Sequence, residues 1–408
     1  MDRACTFGIE EEYLLVGLAS RRVHAAPSPA LNRQCHEALG RYFAEEMFRS
    51  QIEVASPVFG NLHEARNFFT DSRQLLNQVL GQHGVGLYAA ASHPNAPWQR
   101  QKPRATPHYR QLFADYQQVA RRSLLNGLHV HVGVAPGCDR MQLINRLLYW
   151  LPLLLAMSTS SPLWAGQQTG YMSYRRVICG EWPHMGLPEP LADWGAYQRY
   201  RALLQRTGAL AADGDFWWAV RPSRRFPTVE LRICDGCPLL EDALCLAGLF
   251  RHLVEHCLVP HPAMAPFSRE LRWVTQENYW RAMRYGRSAT FIGLHAQQPV
   301  TALAWLAQMQ ACFPVDTVDA ERSFEHARGI LRAGTSADRQ LGCLQQAIVR
   351  GASAAQAVNS VVDQVLAEAN PSCSPAAALA FRQGSPTMAA PPANHRTCPL
   401  HDADQAIP

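Results

Sequence analysis

The feature that most constrains this chain is an apolar run near its start that contains three consecutive glutamates, FGIEEEYLLV at residues 7–16. Side chains alternate between the two faces of a β-strand, so Glu10 and Glu12 share one face while Ile9 and Tyr13 share the other. Two carboxylates at neighbouring positions on one face repel each other, which is tolerable in water or beside a cation. The run therefore predicts either a solvated edge strand blunted by charge or a cation-binding surface.

Length and composition indicate a globular protein with a large core. The chain has 408 residues, of which 48% are hydrophobic and 17% charged, so we expect one large domain or two tightly fused lobes. The net charge of +5 is modest and no basic block occurs, which argues against a nucleic-acid partner. The most apolar run, residues 147–157, is too short to span a bilayer and contains Pro152, so no membrane partner is expected. The N-terminus carries no apolar leader and the twelve cysteines are scattered, which predicts a cytoplasmic protein with reduced thiols.

Two further segments have the same two-faced design. Residues 49–59, RSQIEVASPVF, place Glu53 opposite to the apolar side chains of the segment. Residues 126–134, NGLHVHVGV, place His129 and His131 on a face that they share with glycines, while leucine and valines form the other face. Glycines beside the histidines leave room for the close approach of a ligand. Histidines satisfied within the core are the alternative.

A fourth segment, residues 215–235, ends in a strand that places Glu230 and Arg232 on one face. If the four strands join one antiparallel sheet, helices will cover its apolar side. Four carboxylates, two imidazoles and an arginine then line the other side. Four negative charges would be balanced by two divalent ions, and such an oxygen-rich site favours Mg²⁺ or Mn²⁺. Metal ions beside arginines are typical of phosphoryl transfer.

Three arginine-bearing segments are candidates for binding anions. Residues 160–176, SSPLWAGQQTGYMSYRR, are typical of a substrate or nucleotide loop, with an ordinary surface loop as the alternative. Arg221, Arg224 and Arg225 could hold anionic groups through two bonds each, or could form a solvated turn. Residues 278–289 carry three further arginines, which we expect to add positive charge to the site.

Helical spacing of apolar residues dominates the remainder of the chain. It predicts a loop and a helix within residues 27–46, one long buried helix at residues 140–158 and further helices at 64–80, 108–122, 241–258, 277–285, 300–312, 319–331, 337–349 and 354–369. Residues 371–408 are rich in Pro, Ala and Ser and lack periodicity, which predicts a disordered tail. We therefore expect a catalytic unit over residues 1–370 and a tail over 371–408.

Several common sites are not indicated by any motif. The sequence contains no Walker A motif and no glycine-rich dinucleotide fingerprint before a helix. Cys234 and Cys237 form a single C-x-x-C pair without a second pair at zinc spacing, so buried thiols are favoured over structural zinc.

Five motifs in order, FGIEEEYLLV, QIEVASP, NGLHVHVGV, SSPLWAGQQTGYMSYR and RFPTVELRICD, resemble the carboxylate–amine ligase family, also called the type 2 glutamate–cysteine ligase family. The resemblance runs from about residue 7 to residue 369. It implies an α+β, glutamine-synthetase-like fold in which a curved antiparallel sheet forms a funnel and helices cover the outer face. It also implies ATP and a divalent metal as cofactors, and amide formation through an acyl phosphate that an amine attacks.

The resemblance, together with the faces of the strands, assigns the site residues. The implied metal ligands are Glu10, Glu12, Glu53, His129 and Glu230. The implied catalytic residues are Arg232, as a phosphate contact, and Glu230. Residues that bind substrate or nucleotide are His131, Trp164, Tyr171, Arg175, Arg221 and Arg232. Four positions depart from the family pattern, and they bear on the substrate more than on metal binding: Gln168, Ala219, Arg225 and Pro227.

The sequence and the resemblance favour the first of three functions, with the other two as alternatives. The first is an ATP-dependent ligase that joins a carboxylate, by default the γ-carboxylate of glutamate, to an amine, by default that of cysteine. The second is a metal-dependent hydrolase with His129 and His131 as ligands. The third is a non-catalytic relative that binds nucleotide and metal. The expected partners of the protein are small molecules, namely amino acids and ATP, and a homodimer is compatible with the sequence.

Overall fold

The computed structural model describes residues 5–189, 191–211, 214–260, 268–293 and 298–370. Its strands are β1 (Phe7–Gly17), β2 (Phe43–Glu45), β3 (Gln51–Ala55), β4 (Val85–Tyr88), β5 (Leu128–Gly133), β6 (Leu163–Trp164), β7 (Gln167–Gln168), β8 (Met185–Gly186), β9 (Trp217–Trp218), β10 (Val220–Pro222), β11 (Thr228–Leu231), β12 (Thr290–Ile292) and β13 (Pro299–Thr301). Its helices are α1 (Pro29–Leu39), α2 (Leu62–Gly81), α3 (Pro107–Arg122), α4 (Arg140–Leu147), α5 (Leu151–Ser158), α6 (Tyr174–Cys179), α7 (Trp194–Arg206), α8 (Leu240–Cys257), α9 (Arg269–Tyr285), α10 (Ala302–Cys312), α11 (Val318–Ala333), α12 (Ser336–Val349) and α13 (Ala354–Glu368).

Strand β1 is the centre of a seven-stranded sheet that the described residues form. Six of the strands follow the order β10, β11, β5, β1, β3, β2, and the seventh, β4, also pairs with β1. All pairings in this sheet are antiparallel, and β1 uses both of its edges, one with β3 and the other with β5. Leu14 pairs with Gln51 of β3 and also with Tyr88 of β4, so β4 continues the edge that β5 occupies. The prediction that the four two-faced segments join one antiparallel sheet is confirmed.

Helices cover the apolar face of this sheet. Phe7, Ile9 and Tyr13 of β1 are at most 2% exposed, and they share one core with Phe69 of α2 and Leu249 of α8. Burial of each large apolar side chain contributes about 1.5–3 kcal/mol, which holds the register because a slip by one residue would turn these side chains to the polar face. The predicted α+β architecture is confirmed.

The predicted long helix at residues 140–158 is interrupted. The structure has α4, a 3₁₀ turn at residues 148–150 and then α5. Pro152 explains the interruption, because its ring lacks an N–H and clashes with the carbonyl four residues earlier. Proline is tolerated in the first turn of a helix, which is where it lies in α5.

Two helices that the sequence analysis missed, α6 and α7, are short or weakly patterned. Tyr197 is the only buried residue of α7, so the helix carries little apolar periodicity, although Asp193 caps it by accepting a bond from Ala196 N. Helix α9 begins at Arg269 rather than at residue 277, because Ser268 caps it there by accepting from Leu271 N.

Within the described parts of the chain, no helix combines enough length with enough apolar character to cross a membrane. The predicted tail at residues 371–408 lies outside the described residues.

Candidate active site

Strand register brings the predicted polar residues together on the face of the sheet opposite the apolar core. Residues directly opposite each other in neighbouring strands point to the same face. Three such pairs line this surface, which we call the carboxylate face: Glu12 with Glu53, Glu10 with His129, and His131 with Glu230. The solvated edge strand is thereby excluded for β1, because β1 lies in the middle of the sheet.

Glu10 lies between the two histidines. Its Oε2 is 3.2 Å from His129 Nδ1, and its Oε1 is 3.3 Å from His131 Nε2. Burial opposes ionisation of Glu10, but His131 and His129 outweigh it and hold the pKa of this carboxyl well below its usual range. Burial and the nearby Arg232 guanidinium lower the pKa of His129 to about 4, so that imidazole is neutral at pH 7.

Glu230 is buried and forms ion pairs with two arginines. Its Oε2 accepts a 2.6 Å bond from Arg221 Nε, and its Oε1 accepts a short bond from Arg232 Nη1. Burial disfavours the charged form, but the two guanidinium groups hold the pKa of Glu230 well below its usual range. Arg221 also contacts Asp215 at 3.2 Å. Glu230 therefore orients both arginines at the carboxylate face, in addition to its predicted role as a metal ligand.

A fifth carboxylate, Glu46, was missed by the sequence analysis. It follows β2, where Ala44 lies opposite Glu53, so the alternation places residue 46 on the same face. Glu46 hydrogen-bonds Glu53, and burial raises its pKa. Burial and Glu46 together raise the pKa of Glu12 to about 7. The alternation of β2 could have revealed this residue, but the strand is only three residues long and lies in a segment that was predicted as loop and helix.

The carboxylate face fits a divalent cation. Glu12, Glu53 and His129 each offer a ligand atom, and these atoms lie within 4.8 Å of one another. His129 Nε2 is buried without a hydrogen-bond partner among the described residues, and it lies 3.8 Å from Glu12 Oε1. His129 Nδ1 faces Glu10, which leaves the Nε2 lone pair directed away from that carboxylate, as in metal-bound histidines that are oriented by a carboxylate. The ligand atoms of a second set, Glu10, His129 and Glu230, also lie within 4.8 Å of one another.

Arg175 also reaches the carboxylate face. It is buried, and its Nη1 donates a 2.9 Å bond to the carbonyl of Cys234. A Cβ atom built on Gly127 would lie 2.3 Å from Arg175 Nη2 and 2.8 Å from His129 Nε2. The glycine therefore makes the space that lets this guanidinium approach the imidazole.

Buried Asp235 anchors both ends of the segment at residues 160–176. Its carboxylate accepts bonds from Ser160 N at 3.0 Å, Ser161 Oγ at 2.8 Å and Ser173 Oγ at 2.8 Å. The ends of this segment are thus buried, whereas Gln167 and Gln168 in the β6–β7 hairpin are exposed. The buried, hydrogen-bonded ends exclude the alternative of an ordinary surface loop for that part of the segment.

The remaining predicted residues are distributed away from the carboxylates. Trp164 packs near Tyr174 at 5.7 Å between ring centroids, and Tyr171 lies beneath the guanidinium of Arg284 at 5.9 Å. The contacts recorded among the described residues do not join Trp164 or Tyr171 to the carboxylate face, so their assignment stays a prediction. Arg224 and Arg225 are exposed in the β10–β11 turn, as the solvated-turn alternative has it.

Two of the three arginines of residues 278–289 pair with acidic residues elsewhere, contrary to the prediction that they add charge to the site, whereas the third contacts the segment at residues 160–176. Arg281 pairs with Glu277 at 2.7 Å, and Arg287 pairs with Asp338 at 2.9 Å. Arg284 donates to the carbonyl of Gly170. Arg281 and Arg284 lie on α9 and Arg287 lies in the 3₁₀ turn that follows it, and their partners on this helix and on neighbouring elements could not be read from sequence spacing.

Comparisons with known proteins identify the family. The family model described as Glutamate-cysteine ligase family 2 matches residues 6–363. A relative from Pseudomonas putida, named "Putative glutamate--cysteine ligase 2", is 71% identical over 362 residues, which cover 89% of this chain and 98% of the relative. A relative of the same name from Ectopseudomonas mendocina is 44% identical over 367 residues, which cover 89% of this chain and 96% of the relative.

Solved structures share the fold. The glutamate–cysteine ligase from Francisella tularensis, solved in complex with AMP, aligns with a TM-score of 0.64 at 12% identity and covers 93% of this chain and 92% of that protein. The bifunctional glutathione synthetase from Pasteurella multocida aligns with a TM-score of 0.64 at 15% identity and covers 90% of this chain and 53% of that protein. These likenesses concern the fold alone, and they confirm the predicted glutamine-synthetase-like class. Because the family match spans residues 6–363, the chain belongs to glutamate–cysteine ligase family 2, a family of ATP-dependent carboxylate–amine ligases.

Proposed function

We propose that the chain uses ATP to join the γ-carboxylate of glutamate to the amine of cysteine through an acyl phosphate. The observation that carries this proposal is the carboxylate face, where five glutamates and a neutral imidazole adjoin the Arg221–Arg232 pair. Carboxylates that hold a cation beside guanidinium groups are typical of sites that catalyse phosphoryl transfer. The AMP-bound ligase from Francisella tularensis supports a nucleotide site in this fold.

Glu12, Glu53 and His129 would hold a divalent cation. This set uses His129 Nε2, which has no other partner among the described residues. In the second set, a cation would have to displace the contact of Glu10 with His129 and the contacts of Glu230 with the two arginines. A bound Mg²⁺ or Mn²⁺ neutralises phosphate oxygens and orients the transferred group. Glu46 lies beside Glu12 and Glu53 and adds a further carboxyl group to this position.

Arg232 would hold the phosphoryl group. Its guanidinium is fixed by Glu230 and lies 3.4 Å from His129 Nδ1, and the side chain is 20% exposed. A planar guanidinium can bind two phosphate oxygens at once, which a lysine cannot. Arg221, fixed by the same carboxylate, supplies a second positive charge. The segment at residues 160–176, anchored by Asp235, would shield the acyl phosphate from water.

The hydrolase alternative is disfavoured by the contacts of His131. Its Nδ1 lies 3.0 Å from Thr228 Oγ1, and its Nε2 lies 3.3 Å from Glu10 Oε1. Both nitrogens therefore have partners, and Glu230 and Glu10 raise the pKa of His131 against the effect of burial. A metal ion could bind His131 only by displacing one of these two contacts.

The direct test of the proposed reaction is ADP release with a panel of carboxylates and amines. Glutamate with cysteine is expected to give the fastest release, with one amide formed for each ADP. Turnover of an amide or peptide without nucleotide would support the hydrolase instead. Nucleotide binding with no ADP release on any pair would support the non-catalytic relative and overturn the proposal.

The proposal includes the cytoplasm as the compartment of the reaction. All ten cysteines that the structure describes are free thiols, and six of them are buried. Burial raises the pKa of Cys35 and of Cys234 to about 12, so these thiols remain protonated and unreactive at neutral pH. Unpaired thiols are the usual state of cysteines in a reducing compartment.

Removing divalent metal is expected to destabilise the protein. Five crowded carboxylates repel one another, and a cation bound only by the folded state stabilises it by about 2.7 kcal/mol at roughly a hundredfold its dissociation constant. Melting is to be compared in Mg²⁺, in Mn²⁺ and after treatment with EDTA, with metal removal verified by elemental analysis. An unchanged melting temperature after complete removal would contradict metal binding at the carboxylate face.

Replacing Gly127 with alanine is expected to slow ligation by about a hundredfold. The added Cβ would lie 2.3 Å from Arg175 Nη2, so the guanidinium must move, and a shift of about 1 Å in an aligned group costs about that much in rate. Gly137→Ala is the matched control, because a Cβ there meets nothing within 4 Å. Both variants are to be assayed for kcat and for the urea midpoint. Equal activity in the two variants would show that Arg175 has no part in the reaction.

A further inference from the structure

A second cluster of metal-binding side chains lies on the helical side of the molecule. His252 and His256 are one turn apart on α8, and their ring centroids are 4.2 Å apart. Asp316 comes from the short segment between α10 and α11. Each of the three offers one ligand atom, and these atoms lie within 4.8 Å of one another. None of the three belongs to the carboxylate face or to the motifs that identify the family.

The hydrogen bonds of both imidazoles leave one nitrogen of each for a metal. His256 Nδ1 lies 3.0 Å from the carbonyl of His252, so a proton there leaves the lone pair on Nε2. His252 Nε2 lies 3.3 Å from the carbonyl of Phe313, so a proton there leaves the lone pair on Nδ1. A backbone carbonyl that holds the second nitrogen of the ring is the usual support of a metal-bound histidine.

The segment that bears Asp316 is held at both ends. Phe313 N donates to the carbonyl of Met309 at 3.0 Å, and Thr317 caps α11 by accepting a 3.2 Å bond from Ala320 N. Arg251, the residue before His252, binds Asp319 of α11 at 3.3 Å. Asp316 itself is exposed, so its carboxylate can rotate while its backbone stays next to α8.

We propose that His252, His256 and Asp316 form a binding site for Zn²⁺ that joins α8 to the α10–α11 segment. Two imidazoles and one carboxylate, with water as a fourth ligand, are a donor set that zinc prefers and Mg²⁺ does not. Zinc–ligand bonds of 2.0–2.1 Å place tetrahedral ligand atoms about 3.3 Å apart. The ligand atoms lie within 4.8 Å of one another, and the exposed Asp316 side chain can turn towards the two rings to shorten its distances to them.

The test is zinc affinity, measured by competition with a chromophoric chelator in saturating Mg²⁺, which on the proposed function competes for the carboxylate face. Asp316→Asn and His256→Gln each remove one ligand from a side chain that is not fully buried, and each is expected to weaken zinc binding at least about a hundredfold. Asp115→Asn of α3 and His63→Gln of α2 are matched controls, because they make the same changes at exposed positions of other helices. Zinc is expected to raise the melting temperature of the wild type and of the controls, but not of the two ligand variants.

A second measurement distinguishes this site from the carboxylate face. Co²⁺ in a tetrahedral site absorbs visible light far more strongly than Co²⁺ in an octahedral, oxygen-rich site. The wild type is expected to give the strong spectrum, and His256→Gln is expected to lose it. Melting of each variant without metal shows whether it is folded. Zinc affinity that is equal in the wild type and in both folded ligand variants would overturn the proposal, and so would a wild type that binds no zinc in the presence of Mg²⁺.

Discussion

Arg232→Lys is expected to lower the rate of ATP-dependent ligation by about a hundred- to a thousandfold, with little change in the urea midpoint. Lysine keeps the positive charge beside Glu230 but loses the planar fork that can hold two oxygens of the phosphoryl group. Loss of one such contact in the transition state costs roughly 3–4 kcal/mol, which corresponds to that fall in rate. ADP release with glutamate and cysteine measures the rate, and urea denaturation measures the stability.

Arg224→Lys is the matched control for this prediction. It makes the same change in the same β10–β11 hairpin, but Arg224 is exposed in the turn, so we expect wild-type turnover. Wild-type turnover in Arg232→Lys as well would remove Arg232 from the reaction. Glu230→Gln is a less decisive variant, because it would leave Arg221 and Arg232 without their buried counter-charge and would lower stability by about 3–5 kcal/mol together with activity.

The composition of the carboxylate face could largely be predicted because strand alternation is a local property. The sequence FGIEEEYLLV predicts that Glu10 and Glu12 share a face, and the apolar residues on the other face then determine which side is buried. The assumption that the four segments join one antiparallel sheet did not specify the register, and the pairing of Glu12 with Glu53 and of Glu10 with His129 came from the structure. That assumption came from the shared design of the four segments and from the family resemblance.

Residues whose environment depends on distant segments could not be predicted in the same way. Glu11 lies in the same run, but on the apolar face, where it is 4% exposed. Its position is explained by Arg73 of α2, which is 62 residues away in sequence and binds both of its carboxylate oxygens. Likewise, the sequence did not predict that Arg221 binds Glu230, because only the pairing of β10 with β11 places the two residues side by side.

Arg73→Met is expected to lower the free energy of unfolding by about 3–5 kcal/mol, because it leaves the Glu11 charge buried without its partner. Arg73 is 1% exposed, and its Nη2 and Nε lie 2.7 and 3.0 Å from the Glu11 carboxylate. Arg73 Nη2 also donates a 2.9 Å bond to the carbonyl of Cys237, so this one side chain joins β1, α2 and the segment that precedes α8. Urea denaturation measures the loss, and Arg33→Met, at an exposed arginine of α1, is the control.

The double variant Glu11→Leu/Arg73→Met separates the cost of an unpaired charge from the value of the pair itself. Replacing both partners of a buried ion pair with apolar groups is often nearly neutral, so the double variant should be more stable than Arg73→Met alone. It should remain less stable than the wild type, because the carbonyl of Cys237 still lacks its donor, which costs about 1–3 kcal/mol.

Because Glu11 lies between Glu10 and Glu12, any shift of β1 should also reduce turnover in the single variant Arg73→Met. A single variant that loses less than about 1 kcal/mol would show that this pair does not hold β1 in place.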